Sequence, residues 1–128
     1  MRILVTGSRN WTDARTLQAA LDEALTQAHD LAEVVLVHGG CPTGADQMAA
    51  EYFDRLGLRT EAHPADWRAH GRAAGPIRNA HMVSLGADLV LSFPLGTSRG
   101  TWHCTRLAKR AGIPVRIITP RRQIREPA

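Results

Sequence analysis

Strand-like and helix-like segments alternate along this 128-residue chain, and the alternation is the feature that most constrains its fold. Apolar and β-branched runs predict strands at 2–6, 33–38, 58–63, 87–93 and 115–119. Apolar residues spaced three and four apart predict amphipathic helices between these strands. Because short connections of this kind favour a parallel sheet covered on both faces, we expect an α/β fold. The prediction is a single Rossmann-like three-layer domain with a five-stranded parallel sheet.

The turn at residues 38–46 joins the second strand to the second helix. Its glycines allow the backbone to approach a ligand closely, and they are Gly39, Gly40 and Gly44. Thr43 followed by Asp46 is a capping-box pattern, which predicts that the helix begins here. A helix N-terminus at the end of a parallel strand favours an anionic group. The turn is therefore predicted to form one wall of a nucleotide-binding pocket.

Further turns follow the other strands, at 7–11, 64–67 and 94–101. In a parallel sheet such loops share one edge, so all of these turns are expected to converge with the first. Residues 64–75 form a sizeable irregular stretch, whose length is typical of a lid or binding loop. Thr12 is predicted to cap the first helix, and Pro76 to occupy the first position of the third.

Two common nucleotide motifs do not match these turns. The turn at Gly39 lacks the lysine and hydroxyl residue of a GxxxxGK[ST] P-loop, and the turn at Gly7 lacks the remaining glycines of GxGxxG. A P-loop NTPase and an ordinary NAD-dependent dehydrogenase are therefore disfavoured. What remains is a cradle of backbone N–H groups at helix starts, with arginine supplying the positive charge.

Polar side chains near the turns are candidates for ligand contact. Arg9 and Arg78 lie beside predicted turns and are expected to supply the charge, although either is also compatible with a solvated surface position. Asp46 can bind ribose hydroxyls, cap its helix, or do both. Ser8 and Thr43 can donate to phosphate, or serve as ordinary turn residues.

Aromatic and metal-ligating residues give weaker signals. Trp11, Trp67 and Phe93 can stack on a base, although an aromatic residue near a strand end is more often part of the core. The six histidines and two cysteines include no pair with the spacing of a zinc site, since His103 and Cys104 are adjacent and would point apart on a helix, so neither a metal nor a cofactor is predicted. Cys41 precedes a helix N-terminus, where a thiolate is favoured, but no histidine partner is assigned, and nucleophilic catalysis is disfavoured.

The formal net charge of +4 raises the question of nucleic-acid binding. Arg121, Arg122 and Arg125 against Glu126 contribute +2 of this charge, so the rest of the chain is nearly balanced. Without aromatic residues interleaved among the arginines, DNA or RNA binding is disfavoured. We expect a nucleotide-binding domain at 1–120, followed by a short basic tail at 121–128.

The cellular location is also constrained by the sequence. Two cysteines are few for a secreted scaffold and suit a reducing compartment. The N-terminus has no signal-peptide layout, and no apolar run approaches the ~20 residues that span a membrane. The expectation is a cytoplasmic protein without membrane contact.

A series of motifs runs through nearly the whole chain: Gly7-Ser8-Arg9, His38-Gly39-Gly40, Thr43-Gly44-Ala45-Asp46, Pro64-Ala65-Asp66-Trp67, Gly75-Pro76-Ile77-Arg78-Asn79-Ala80-His81-Met82, Gly100-Thr101 and Ala111-Gly112-Ile113-Pro114-Val115. Together they resemble the SLOG superfamily, in its YspA/YpsA-related branch common in phages and bacteria. The resemblance implies a Rossmann-like fold, often dimeric, with a pocket for a nucleotide or a nucleotide-derived signal such as an ADP-ribose derivative.

The residues and the resemblance together give a set of predicted ligand-binding residues: Gly7, Ser8, Arg9, Gly39, Gly40, Thr43, Gly44, Asp46, Asp66, Trp67, Arg78, Asn79, Gly100 and Thr101. A homodimer is expected from the resemblance. Met82, Val83 and Leu85 lie on a helix with few charges and are either a dimer face or core residues.

The chain is also similar to the Lonely Guy phosphoribohydrolases, which release a base from a nucleoside monophosphate. That group pairs an arginine in an RKxxM-like motif, matched here by residues 78–82, with a glutamate after PGGxGT. Gly100-Thr101 is followed instead by Trp102, His103 and Cys104, so the carboxylate that stabilises a ribosyl cation is missing. Substitutes are acceptable only where the fold brings them to the ribose, and the candidates are Asp46, Glu51 and Asp66.

These features favour a sensor or sequestering protein that binds its ligand without rapid turnover. A phosphoribohydrolase, with catalytic residues unassigned, is the alternative. A DNA-binding module is a second alternative, by analogy with DprA, another SLOG relative.

Overall fold

The computed structural model describes residues 1–121 and contains a five-stranded, all-parallel sheet. Its strands are β1 (Arg2–Gly7), β2 (Val35–His38), β3 (Arg59–Ala62), β4 (Leu89–Phe93) and β5 (Val115–Ile117). Their order across the sheet is β3-β2-β1-β4-β5. The order therefore reverses between β1 and β4, the position at which open α/β sheets bind ligands. The predicted fold is confirmed, whereas residues 122–128 of the expected basic tail lie outside the described residues.

Helices lie on both sides of the sheet. They are α1 (Ala14–Leu25), α2 (Ala45–Arg55), α3 (Trp67–His70), α4 (Ala74–Ser84) and α5 (Arg99–Arg110), with 3-10 turns at Leu31–Glu33 and Gly71–Ala73. Within residues 1–121, no helix combines the length and apolar character needed to cross a membrane.

The alternation of side chains along the strands divides the core into two clusters. Ile3 pairs with Leu36 and Leu89 on the face covered by α1 and α2, and the larger cluster lies there. Leu4 pairs with Val37 and Val90 on the opposite face, where α4 and α5 pack. Because successive strand residues point to opposite faces, one register aligns both sets of apolar side chains.

Two predicted helix starts were wrong. Asp13, not Thr12, caps α1: its Oδ1 accepts a hydrogen bond from the Thr16 backbone N–H at 3.1 Å. Helix α4 begins at Ala74, so Pro76 is its third residue rather than its first. Pro76 is tolerated there because the first-turn N–H groups have no partner within the helix. The stretch at 64–75 is also less irregular than expected, since it contains α3 and a 3-10 turn.

Candidate functional site

A cleft of about 420 Å³ opens at the carboxyl edge of the sheet, beside the point where the strand order reverses. Its walls come from residues 5–10 at and after the end of β1, from the turn after β2, from residues 97–101 before and within α5, and from α4. Three of the four turns predicted to converge therefore line this cleft, and Pro64 of the fourth packs against Gly40. The turn at 64–67 contributes only Trp67, to an outer extension of the cleft.

Glycines bring the backbones of the first two turns into direct contact. A Cβ atom at Gly7 would lie 2.9 Å from the Cβ of Phe93 and would overlap the Cβ of Ala45. Gly44 has φ +76, and a Cβ there would overlap the backbone of Ser8 and Arg9. The Ala45 N–H donates to the Ser8 carbonyl oxygen at 3.1 Å. The start of α2 is thereby fixed against the loop after β1.

The turn between β2 and α2 is held by the side chains at its two ends. The Nδ1 of His38 accepts the Gly40 N–H at 3.0 Å, which places the proton of the neutral ring on Nε2. The Oδ2 of Asp46 accepts the N–H groups of Gly39 at 3.1 Å and Cys41 at 3.4 Å. No other hydrogen bond to the Asp46 carboxylate is present within residues 1–121, so Oδ1 remains available.

The Asp46 carboxylate is strongly desolvated. Only 7% of the residue is exposed, and burial raises the pKa of its carboxyl to about 6. The Cys41 N–H, the Arg78 guanidinium and the Gly39 N–H oppose this increase. A group with this pKa exchanges a proton near neutral pH, which is typical of functional carboxyl groups as well as of some structural ones.

Arg78 lies across the floor of the cleft in a fixed position. Its Nη1 donates to the carbonyl oxygens of Gly39 at 2.7 Å and His63 at 3.4 Å, and its Nε donates to the Oδ1 of Asn79 at 2.8 Å. A Cβ at Gly39 would lie 2.8 Å from the Arg78 Cζ, so a side chain at this position would displace the guanidinium from its place. The Nη2 group has no hydrogen bond among the described residues and is free to donate to a ligand.

Asn79 connects α4 to the start of α5. Its Nδ2 lies 3.3 Å from both the Gly100 carbonyl oxygen and the Nδ1 of His103. Since its Oδ1 accepts from Arg78, the buried Asn79 uses its polar atoms to position other residues. The first N–H groups of α5 then face the cleft at residues 99–101, where a helix has no internal partners for them.

Buried hydroxyls attach α5 to the sheet. The Oγ1 of Thr105 donates to the Thr101 carbonyl oxygen at 2.7 Å, so the Ser92 hydroxyl, 2.8 Å away, must donate to Thr105. Cys104, one of the three residues that follow Gly100-Thr101 in place of the expected glutamate, is fully buried beside them, and burial raises the pKa of its thiol to about 11. Cys104 is therefore a neutral core residue.

The cleft continues outward into a wider part of about 700 Å³. Arg9, Arg78 and Arg99 line both parts. The outer part adds Trp67 and a set of α5 side chains: Trp102, His103 and Arg106. Among described residues that line this outer part, none is an aspartate or a glutamate.

Most predicted ligand-binding residues are brought together at the inner cleft: Gly7, Ser8, Arg9, Gly39, Asp46, Arg78, Asn79, Gly100 and Thr101. The rest lie elsewhere. Gly40, with φ +71, packs beside Pro64, and Gly44 lies behind the cleft wall. Asp66 caps α3 by accepting the Ala69 N–H at 3.0 Å, and Trp67 lines the outer part of the cleft but not the inner part.

The capping-box prediction was wrong. Gly44 is the N-cap of α2, and no side chain forms a capping hydrogen bond there. Thr43 is exposed, and Asp46 turns its carboxylate back to the preceding turn instead. The reason is that the tight approach of Ser8 and Arg9 requires a left-handed glycine at the cap position.

Burial decides the role of several residues for which the sequence allows two. Trp11 and Phe93 are core residues whose rings pack edge to face, with centroids 5.2 Å apart, so neither is available to stack on a base. Met82 and Val83 are buried in the smaller core, which leaves only Leu85 of the suggested dimer face exposed. Of the three candidate carboxylates, only Asp46 lines the cleft.

Sequence reasoning predicted Gly100 and Thr101 at the start of α5 but missed the face of this helix along the outer cleft. Arg99, Trp102, His103 and Arg106 follow the i, i+3, i+4, i+7 pattern and form one face of the helix along the outer cleft. The opposite face is buried and contains Thr101, Cys104, Thr105 and Ala108. The same spacing rule that identified apolar faces could have found this polar and aromatic one. Within residues 1–121, no group of three or more histidine, cysteine or acidic side chains is arranged to hold a metal.

Comparison with known proteins agrees with this architecture. A family model for the YspA, cpYpsA-related SLOG family matches residues 1–70. The Gene 61 protein of Mycobacterium phage D29 is 47% identical over 120 residues, covering 89% of this chain and 93% of the phage protein. The family match includes the turns after β1 and β2 and the Asp66-Trp67 pair. The chain therefore belongs to the YspA, cpYpsA-related SLOG family.

Proposed function

We propose that the protein binds a nucleotide or a nucleotide-derived molecule of the ADP-ribose type in this cleft and acts as a sensor or sequestering protein. SLOG family membership suggests a nucleotide-related ligand-binding role. The choice of a nucleotide or an ADP-ribose-like molecule as the ligand rests on the charge and the hydrogen-bonding groups of the cleft. A cytoplasmic homodimer, expected from the sequence, remains part of it.

The observation that carries the proposal is the convergence of three arginines on one cleft. Arg9, Arg78 and Arg99 line it, together with the N-terminal turn of α5, against the single carboxylate of Asp46. Guanidinium groups match the oxygens of a phosphate, and a helix N-terminus adds backbone N–H donors. Such a combination favours a ligand with one or more phosphate groups.

Asp46 supports a ligand that also carries hydroxyl groups. Its Oδ2 is occupied by two backbone N–H groups, whereas its Oδ1 has no partner among residues 1–121. A carboxylate accepts hydrogen bonds from ribose hydroxyls, as an acidic residue does in dinucleotide-binding folds. Phosphate at the arginines and ribose at Asp46 together describe a nucleotide.

Direct titration tests this proposal. AMP, ADP and ADP-ribose are titrated into the protein in a calorimeter, and Arg9→Ala is compared with Arg15→Ala, an exposed arginine outside the cleft. Since Arg9 has no hydrogen bond to another described residue, its removal should weaken binding about tenfold without unfolding the protein. Absence of binding by all three ligands at millimolar concentration, or equal loss in both variants, would overturn the proposal.

A second candidate function, nucleoside-monophosphate hydrolysis, is favoured by one observation: Asp46 is buried in the cleft and its pKa is about 6. In that reaction water adds to the ribose C1′ as the N-glycosidic bond breaks, and the base leaves with a proton. Asp46 would stabilise the ribosyl cation and accept the proton of the water. The neutral, buried Cys104 in place of the glutamate argues for the binding protein instead.

The two functions are separated by the products. The protein is incubated with AMP, and free adenine and ribose 5-phosphate are measured by chromatography. Hydrolysis that Asp46→Asn abolishes would establish the enzyme. Adenine release no greater than that of a protein-free blank would exclude it.

A further inference from the structure

We propose that Trp67 and Trp102 form a nucleobase-binding site in the outer part of the cleft, so that the ligand lies with its phosphate inward and its base outward. This inference rests on the proposed function. It specifies the ligand as a nucleotide with an intact base, in contrast to a sugar phosphate.

The first support is the exposure of Trp67. This indole is 57% exposed, although tryptophan usually buries most of its large apolar surface. Its ring tip lies over Gly75, where an added Cβ would come 3.5 Å from Cη2. The Asp66 cap on the Ala69 N–H fixes the short helix that carries it. Trp67 is thus held in position while its ring remains open to the cleft.

The second support is the α5 face opposite the core. Trp102 lies between Arg99 and Arg106 on this face, and all three line the outer cleft with Trp67. Among described residues the aromatic contacts join Trp11 to Phe93 and His63 to His81, so neither cleft indole is covered by another ring. Two uncovered indoles thus border a space that contains arginines but no carboxylate.

The third support is the continuity of the two parts of the cleft. Arg9, Arg78 and Arg99 belong to both, so a continuous path past these arginines leads from the outer part to the inner cleft, where the phosphate and the ribose are proposed to lie. A ligand that holds its phosphate there and extends outward must bring an uncharged or aromatic group to the indoles. A nucleobase provides such a group, because the π-face of every base can stack on tryptophan, regardless of which hydrogen-bonding groups its edge carries.

An apolar protein segment is a less suitable occupant of the same space. The outer cleft contains Arg9, Arg78, Arg99 and Arg106, and burying these four unpaired charges under an apolar partner would be costly. An aromatic ring linked to a phosphate satisfies both features at once. The combination of stacking surface and arginine is the pattern used for single nucleotides and single strands.

The test compares AMP with ribose 5-phosphate, which has the same sugar and phosphate but no base. Both are titrated by calorimetry into the wild-type chain and into Trp67→Ala, Trp102→Ala and Trp102→Phe. Leu56→Ala, an exposed apolar truncation away from the cleft, is the control. Circular dichroism checks that each variant is folded, and chromatography checks that AMP stays intact during the titration.

The expected result is that the wild-type chain binds AMP at least about tenfold more tightly than ribose 5-phosphate, as stacking on tryptophan provides. Trp67→Ala and Trp102→Ala should each weaken the binding of AMP about tenfold and leave the binding of ribose 5-phosphate unchanged. Trp102→Phe should retain most of the affinity for AMP, and Leu56→Ala should bind AMP as tightly as the wild-type chain does. Because Trp11 is buried, AMP should also quench tryptophan emission through the two cleft indoles.

Other outcomes overturn the inference in distinguishable ways. Equal affinity for AMP and ribose 5-phosphate, or an equal loss of both in the tryptophan variants, refutes the base site while leaving the proposed function in place. Absence of binding by either compound, and by ADP-ribose, refutes the proposed function and this inference together.

Discussion

The two walls of the cleft are built in different ways. The inner wall, defined here as Gly7, Ser8, Gly39 and Asp46 with Gly44 packed directly behind them, is made of closely packed backbone and one buried carboxylate. The outer wall, defined as Trp67, Arg99, Trp102, His103 and Arg106, consists of long side chains on helix faces. In the inner wall, atoms added to a glycine meet neighbouring backbone or side-chain atoms, whereas the outer-wall side chains border the wider part of the cleft.

The difference indicates a division of labour. Packed backbone and backbone hydrogen bonds give the inner wall one geometry, which suits the invariant sugar and phosphate of a nucleotide. Long side chains can vary without disturbing the fold, which suits recognition of the part of the ligand that differs between nucleotides. Substitutions in the inner wall should therefore lower the stability of the protein. Substitutions in the outer wall should change ligand binding alone.

The largest effect is expected for Gly44→Ala. Gly44 has φ +76 and ψ −145, a region that is accessible almost only to glycine, and the new methyl group would overlap the Ser8 and Arg9 backbone. Strain and overlap together should lower the free energy of unfolding by about 3 kcal/mol or more. Urea denaturation followed by circular dichroism measures the change.

Gly57→Ala is the matched control for that substitution. Gly57 has φ +70, but no heavy atom lies within 4 Å of its added Cβ. It should therefore show the conformational strain alone, about 1 kcal/mol. Equal destabilisation by the two variants would show that the inner wall is not held by close packing.

The next effect is the pH dependence that Asp46 gives to stability. Its pKa is about 6 in the folded state and about 3.9 in an unfolded chain, so the folded state holds the proton more tightly. The stabilisation is fully present below about pH 4 and is lost as the pH rises through 6. Compared with Asp46→Asn, the wild-type protein should lose about 2 kcal/mol of stability from pH 4 to 7.

The difference between the two unfolding curves isolates Asp46, because His38 and Glu61 titrate in both proteins. Asp54→Asn, on the exposed side of α2, repeats the change of charge outside the cleft. Parallel stability profiles for the wild-type protein and Asp46→Asn between pH 4 and 7 would mean that the carboxylate is not desolvated in the folded protein.

The inner wall is also the part that the sequence predicts best. Gly7, Gly39 and Gly44 are signals that depend on local backbone geometry, and the strand periods place their turns at one edge of the sheet. The capping error has the same local origin. The pattern Thr43-x-x-Asp46 is compatible with a capping box. The backbone of Ser8 and Arg9, which contacts Gly44, lies more than thirty residues away in the sequence, so the local pattern does not reveal this contact.

The outer wall was harder to predict because no single turn contains it. Trp67 comes from α3 and the other members from α5, and only the fold of α4 between them brings the two helices to one cleft. The apolar periodicity that identifies α5 draws attention to its buried face, with Thr101 and Ala108, and away from the opposite one. Likewise, Trp11 and Trp67 are similar in sequence context, and only tertiary packing separates the core residue from the exposed one.

A smaller effect, confined to binding, is expected for the double variant Arg99→Gln/Arg106→Gln. Both arginines are exposed, so the free energy of unfolding should stay within about 0.5 kcal/mol of the wild-type value. AMP affinity should fall about tenfold at low salt, and by less at high salt, where the wild-type attraction is already screened. Arg15→Gln/Arg110→Gln removes the same charge elsewhere on the surface and should leave the affinity unchanged. An equal loss of affinity in both double variants would show that the effect comes from net charge. The arginines of the outer wall would then have no specific role in binding.

The smallest effect is expected at Ser98, the N-cap of α5, where a non-glycine residue has φ +23 and ψ +57. Its Oγ accepts the Leu95 N–H at 3.1 Å, so Ser98→Gly relieves the strain but removes a hydrogen bond. These contributions are each about 1 kcal/mol and opposite in sign, so its stability should stay close to wild type. Ser98→Ala keeps the strain and loses the bond, and should therefore be less stable than Ser98→Gly by about 1 kcal/mol. Thermal unfolding of the two variants measures this order directly. The reverse order would show that the backbone at the start of α5 is unstrained.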